Sequence, residues 1–251
     1  MDTRTQIIRD MIEVCHRLYA RGMVTATDGN VSIRLENGNI LATRSGINKG
    51  DVQEPDLVEV TLGGEQVAGS GKPSTELGMH HFIYKERRDV RAVVHAHPTY
   101  ATGFATARIA LDQCTFPEVI VELGAIPLAE YATPSTPEVA ASLAPFIKNS
   151  DAILLANHGA VTCGSSIFDA YYKMEKVEHA AHITFVATML GGARSLTEEQ
   201  LAKLRAVSVQ SYGKDFSTKI ACEISDSPAD DLPEHDLRCY IERRLQELGI
   251  P

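Results

Sequence analysis

The stretch Val90-Arg91-Ala92-Val93-Val94-His95-Ala96-His97-Pro98 constrains this chain more than any other. Val90 to His95 reads as a buried strand, and Pro98, which has no backbone donor, ends it. Residues two apart on a strand point to the same face, so the imidazoles of His95 and His97 project together where the chain turns. Two neutral imidazoles side by side make a ready metal site.

The elements around this strand follow from periodicity and punctuation. Ile7, Ile8, Met11, Val14, Leu18 and Tyr19 recur at helical spacing over residues 4–21, and Gly22 stops the helix. Val31–Leu35 and Ile40–Thr43 flank Asn37-Gly38, the signature of a tight hairpin. Leu57–Thr61 and Gln66–Ala68 form a second hairpin through Gly63-Gly64. A helix is expected over Thr75–Arg87, and strands over Glu118–Glu122, Ile126–Tyr131, Ala152–Ala156 and Ala160–Cys163. Thr136-Pro137-Glu138 opens a helix through Ile147, a long helix runs from Ser166 to Leu190, and another covers Glu198–Tyr212. Cys222–Asp236 reads as an acidic surface linker before a short helix over 237–248. The expected organisation is one α/β domain over residues 1–215 with a C-terminal extension over 216–251.

Composition excludes several classes of partner. With 24 Lys and Arg against 33 Asp and Glu, the net charge of −9 repels nucleic-acid phosphates, and no basic stripe offsets it. No apolar run reaches the length of a membrane span, and the charged N-terminal segment has no secretory core. Five widely spaced cysteines without a C-x-x-C pair argue against a disulfide framework and for a reducing, cytoplasmic setting.

His158, in Ala156-Asn157-His158-Gly159, follows another apolar strand and is a third candidate ligand, and Glu76 at a helix start is a candidate carboxylate. His179 and His182 share a helix face without H-E-x-x-H spacing and read as surface residues. The adjacent pair His80 and His81 is better explained by a helix face than by a site. Gly29, Asn30, Ser45, Gly46, Ser74 and Thr75 lie in loops, where backbone donors and hydroxyls suit a phosphate; taken alone, Ser74 and Thr75 read better as helix caps.

Taken together, Gly29-Asn30-Val31-Ser32-Ile33-Arg34, Thr43-Arg44-Ser45-Gly46, Lys72-Pro73-Ser74-Thr75-Glu76, Val93-Val94-His95-Ala96-His97 and Asn157-His158-Gly159 resemble the class II aldolase/adducin family, with the L-fuculose-1-phosphate aldolases nearest in pattern. The resemblance covers about residues 5–210. It implies a mainly antiparallel sheet covered by helices in three layers, and a homotetramer with active sites between subunits. It implies that His95, His97 and His158 bind zinc, with manganese or cobalt also compatible, and that Glu76 both ligates the metal and moves protons. It assigns Gly29, Asn30, Ser45, Gly46, Ser74 and Thr75 to the substrate phosphate. The activity implied is reversible cleavage of a ketose 1-phosphate to dihydroxyacetone phosphate and a small aldehyde.

The chain departs from that pattern at Phe116, where the aldolases it resembles carry a tyrosine that protonates the aldehyde oxygen; phenylalanine has no proton to give. Tyr131, Tyr212 and Glu118 are the candidate replacements. The segment Pro117 to Leu123 also lacks the aspartate of the related epimerases. A decarboxylase or dehydratase acting on a phosphorylated sugar or sugar acid is the main enzymatic alternative, with an epimerase behind it. An adducin-like binding module is the non-catalytic one.

Overall fold

The structure is a computed structural model and describes residues 3–213, 215–224 and 246. Its centre is an eight-stranded sheet: β1 (Asn30–Arg34), β2 (Ile40–Thr43), β3 (Leu57–Val60), β4 (Gln66–Ala68), β5 (Ala92–Ala96), β6 (Leu128–Ala129), β7 (Ala152–Leu155) and β8 (Gly159–Gly164). The strands lie in the order β4-β3-β2-β1-β5-β8-β7-β6. Every pairing is antiparallel except β6 with β7.

Alternation along the strands sorts side chains to two helical layers. Val31, Ile33, Ala92, Val94 and Leu154 face α1 (Thr3–Ala20), α3 (Thr99–Thr106) and α6 (Ile167–Met189). Ile40, Ala42, Val58, Val93, Ile153 and Val161 face α2 (Leu77–Glu86) and α5 (Pro137–Leu143). The result is the expected α/β fold in three layers, with a mainly antiparallel sheet between helices. On α1 the buried residues Ile8, Met11, Val14, Cys15 and Leu18 recur every three or four positions. Each such aliphatic side chain contributes roughly 1.5–3 kcal/mol by leaving water.

The ends of these elements are set locally. Gly38 takes φ +85° in the β1–β2 hairpin. Ser166 caps α6 by accepting from the Asp169 amide. In α7 (Glu198–Tyr212), Thr197 and Gln200 form a reciprocal capping box, and Gly213 ends the helix at φ +64°.

Four expectations need correction. Residues 118–122 are not a strand: α4 (Pro117–Glu122) is a short helix with proline in its first turn, and it packs against α6 and α7. Its apolar residues are too few for strand and helix periods to be told apart from sequence. The strand expected over Ile126–Tyr131 shrinks to Leu128–Ala129, with Ile126 bridging Leu111 instead. The second helix begins at Leu77, not Thr75, because residues 74–76 form a turn in which the Leu77 amide reaches Ser74 O at 3.2 Å.

The fourth correction concerns the cysteines. Cys114 and Cys222 form a disulfide across 108 positions. Glu223 pairs in parallel with Gln113, and Cys114 N donates to Glu223 O at 2.9 Å, so residues 219–223 run back along the domain rather than away from it. The wide sequence separation hid this closure. The rest of the acidic linker and the helix expected over 237–248 lie outside the described residues, Gln246 apart.

Candidate metal centre

The three imidazoles come together because three backbone features do. Antiparallel pairing sets Asn30 of β1 opposite His95 of β5, and Ala96 opposite Ala160 of β8. His97 follows the last residue of β5, and His158 sits in the turn that joins β7 to β8, after Asn157 at φ +56°. At Gly159 a Cβ would lie 2.5 Å from Ala96 O and 2.6 Å from the His97 ring, so only glycine lets this turn close onto β5. At Gly29, with φ +72°, a Cβ would lie 2.8 Å from His95 O.

One ring nitrogen from each of His95, His97 and His158 falls within 4.8 Å of the others, a set that can hold a metal ion. His95 Nδ1 lies 2.9 Å from Ala160 O, and a carbonyl only accepts. The proton therefore sits on Nδ1, and Nε2 is bare. His97 Nδ1 faces Asp28 Oδ2 at 3.7 Å, which favours the same tautomer. The two Nε2 atoms then meet at 3.1 Å with lone pairs facing, an arrangement that a cation relieves. Tetrahedral coordination at zinc–nitrogen distances places ligand atoms about 3.3 Å apart, so the donor set fits such an ion.

Glu76 closes the fourth side. Its Oε1 lies 3.2 Å from His158 Nε2 and its Oε2 lies 3.6 Å from His95 Nε2, while Asn30 Nδ2 donates to Oε2 at 2.8 Å. Burial alone would raise the carboxyl's pKa. The hydrogen bond from His158, the field of the imidazoles and the Asn30 amide outweigh it and hold it at about 2. Burial pushes His95 down to about 3, against the pull of Glu76, and it also lowers His97. The shifts at His95 and His97 favour the neutral rings that a metal ligand requires.

The polar loops border this centre. Ser45 N donates to Lys72 O at 2.8 Å and Arg44 bridges Pro73, which joins the Ser45-Gly46 loop to the Ser74-Thr75 loop. Neither Ser74 nor Thr75 caps α2 in the way expected. Ser74 Oγ accepts from the Glu76 amide at 3.3 Å, and Thr75 Oγ1 accepts from Ser135 Oγ at 2.8 Å. A cavity of about 380 Å³ opens beside Glu76, walled by Thr75, His81, Lys85, Ser135 and Thr136. A larger apolar groove of about 540 Å³ lies between α3, residues 109–116 and α6, and none of the three imidazoles lines it.

His80 is the residue that the sequence reading missed. It sits on a helix face but is fully buried, with Nδ1 2.7 Å from Ser32 Oγ. Burial drives its pKa down to about 3. The signal was present as spacing: Ser32 lies two residues after Asn30 on a strand, and His80 four after Glu76 on a helix. Lys49, also overlooked, is buried and donates to Thr27 O at 3.0 Å and Ile47 O at 2.8 Å. His179 and His182 stay apart from the centre as expected, His179 edge-on to Phe116 and His182 stacked on Tyr100. Tyr131 is exposed.

Known proteins resemble this chain in sequence and fold. The family model for the class II aldolase and adducin N-terminal domain matches residues 9–185. The 3-oxo-tetronate 4-phosphate decarboxylase of Escherichia coli strain K12 is 34% identical over 204 residues, which span 78% of this chain and 94% of that protein. The L-fuculose phosphate aldolase of Methanococcus maripaludis is 35% identical over 181 residues, 72% of this chain and 97% of the relative. Among solved structures, YgbL from Klebsiella pneumoniae superposes with a TM-score of 0.75 at 33% identity, covering 82% of this chain and all of that one. The L-fuculose-1-phosphate aldolase of Thermus thermophilus does so at 0.68 and 30%, covering 77% of this chain and 100% of that one. The matched segment contains Glu76, His95, His97 and His158, and the chain belongs to the class II aldolase and adducin family.

Proposed function

We propose that this chain is a metal-dependent lyase that breaks the carbon–carbon bond between a carboxylate and the carbon next to a carbonyl, in a small phosphorylated sugar acid. The observation that carries the reading is the convergence of His95, His97 and His158 with a buried, ionised Glu76 at one point. The three imidazoles hold the cation, with zinc favoured by nitrogen ligands and manganese or cobalt compatible. When bound, the cation acts as a Lewis acid toward the negative charge that develops on substrate oxygens as the bond breaks.

The remaining steps belong to the chain. Gly29, Asn30, Ser45, Gly46, Ser74 and Thr75 hold the phosphate, so binding energy at that end orients the reacting carbons. Lys85, on the wall of the cavity beside Glu76, can orient the substrate carboxylate before its charge passes to the carbonyl side as carbon dioxide leaves. Carbon dioxide departs with its bonding electrons left on carbon, and that carbon then needs a proton. Glu76 is kept ionised by its neighbours. Once it moves off the imidazoles and Asn30, the contacts that hold its pKa down are lost while burial still raises it, so its carboxyl can take a proton from water and pass it to carbon.

Phe116 favours loss of carbon dioxide over aldol cleavage, because no departing aldehyde oxygen then needs the hydroxyl that this position lacks. The decarboxylase relative is similar over most of both chains. Aldol cleavage of a ketose 1-phosphate is the second reading, and the L-fuculose phosphate aldolase relatives favour it. A non-catalytic module would have no use for four convergent ligand side chains. We further propose a homotetramer in the cytoplasm with sites at subunit interfaces. The exposed Ile183, Phe185 and Val186 near the C-terminal end of α6, with Leu190 just after it, support the assembly.

The test supplies purified, metal-assayed protein with 3-oxo sugar-acid 4-phosphates and with ketose 1-phosphates. Carbon dioxide release from the first set supports the proposal. Dihydroxyacetone phosphate from the second set transfers it to the aldolase reading, and neither product from a metal-replete protein sinks both.

A further inference from the structure

The space between β1 and α2 holds a polar seam in an otherwise apolar interface. Asn30 and Ser32 point from β1 toward Glu76 and His80 of the facing segment, and Tyr84 follows one helical turn on. Ser32 Oγ lies 2.7 Å from His80 Nδ1 and 2.8 Å from the Tyr84 hydroxyl, and all three residues are buried.

Donor and acceptor arithmetic gives this seam a direction. Ser32 has one hydroxyl hydrogen, and the buried Tyr84 phenol has one hydrogen that needs an acceptor. If Ser32 donated to Tyr84, the phenol hydrogen would face no acceptor among the described residues. The arrangement that uses both hydrogens runs from Tyr84 to Ser32 Oγ and from Ser32 to His80 Nδ1. A neutral His80 then carries its proton on Nε2. Among the described residues, two buried polar atoms of this seam have no partner: His80 Nε2 and Asn30 Oδ1. One is by this count a donor and the other is an acceptor, and a buried polar group left without a partner is destabilising.

We propose that His80 is the positioning residue of the Asn30–Glu76 pair: locked as the Nε2–H tautomer by Ser32 and Tyr84, it donates to a bound water that in turn donates to Asn30 Oδ1. The polarity closes at every step. The water accepts from His80 and gives one hydrogen to Asn30, keeping the second for the Glu76 carboxylate. The amide oxygen of Asn30 is thereby turned to the water, and its NH2 is left to face Glu76 Oε2. With the other tautomer the water would spend one hydrogen on His80 Nε2 and the other on Asn30 Oδ1, leaving none for the Glu76 carboxylate. The role rests on reading Glu76 as the proton carrier of the proposed reaction, because it is that carboxylate whose position His80 sets.

The test has one arm independent of any substrate. Long-range 15N–1H NMR of the imidazole-labelled, full-length, metal-loaded protein reports the His80 tautomer directly. Nε2–H is expected, and it is expected to be lost or mixed in Ser32→Ala; a clean Nδ1–H form in the wild type overturns the proposal whatever the reaction proves to be. The second arm compares His80→Gln, whose amide nitrogen replaces Nε2, with His80→Leu. Leu is expected to lower kcat about tenfold or more at unchanged metal content and KM, and Gln to restore it to within about threefold. Equal losses in both variants mean that His80 only fills space, and the proposal fails. Should neither substrate class be turned over, the function reading has failed separately, and the tautomer arm still decides this one. Should His80→Leu not fold, Ser32→Ala carries the kinetic comparison with the same expected loss in kcat.

Discussion

Asn30 holds Glu76 from across the sheet–helix seam: the amide nitrogen of the first residue of β1 meets the carboxylate that precedes α2 at 2.8 Å. Glu76→Gln preserves shape and replaces the group that can cycle a proton. Turnover is expected to fall by about two to four orders of magnitude, with metal content by plasma emission unchanged. A variant that turns over normally removes Glu76 from the mechanism.

The imidazoles make a contrasting prediction. His95→Ala or His158→Ala should cost the protein its bound metal and its activity together, and dialysis against a chelator should do the same to the wild type, reversed by added zinc. His182→Ala, which removes only a ring stacked on Tyr100 at 3.9 Å, is expected to leave metal content intact. Retention of stoichiometric metal by His95→Ala would mean that the ion sits elsewhere.

Asp151 is the anchor of a buried ionic cluster, with Lys219 at 2.6 Å, Arg87 at 2.9 Å and Lys173 at 3.2 Å. Removing its charge strands those cations, so Asp151→Asn should lose about 3–5 kcal/mol in urea unfolding. Burial alone would raise its pKa, yet Lys173, Lys219 and Arg87 hold it below the ordinary carboxylate range. The unfolded chain therefore binds this proton more readily than the folded one. Its contribution to stability is complete above about pH 4, near the unfolded carboxyl's pKa, and drains away as pH falls further. Acid titration of the unfolding free energy should show this limb in the wild type and not in Asp151→Asn.

The bond between Cys114 and Cys222 closes 108 positions of chain. Chain entropy alone sets an upper value of about 4–5 kcal/mol for such a loop. Cys222→Ser, or reduction of the wild type, should lower the denaturant midpoint within that bound. Digestion without reductant should yield a linked peptide pair containing both cysteines. Two separate, alkylated peptides from protein quenched at harvest would show that the bond is open in the cell.

Charge placed in the apolar strip of α6 tests the assembly. Phe185 is 46% exposed beside Ile183 and Val186. Phe185→Asp should shift sedimentation from a tetramer to smaller species while helical content stays constant. An unchanged sedimentation coefficient would take that surface out of the interface.

The sequence disclosed most of this architecture where one physical rule governed. Alternation located the central strands, Asn37-Gly38 located the hairpin, and the i, i+2 rule put His95 and His97 on one face. It misled where a segment was too short to have a period, as at Pro117–Glu122, and where contacts were distant along the chain, as for Cys114 with Cys222. The burial of His80 went unforeseen for a different reason. Its partner, Ser32, lies on another element, and single-segment patterns carry no information about what a buried polar face will meet. Glu76 stood out only as a candidate carboxylate at a helix start; its ligand and proton-carrying role came from the resemblance, since a lone glutamate has no spacing to betray it.

Lys49 gives the site a mechanical property. Its buried ammonium is tied to the carbonyls of Thr27 and Ile47, one beside the Gly29 turn and the other beside the Ser45-Gly46 turn. Separating those turns would leave a cation stranded in a dry interior, so they move as one body or not at all. On the proposed reading of these turns as the phosphate site, the cradle is already assembled, and the entropy of shaping it was lost when the chain folded, not when the ligand arrives.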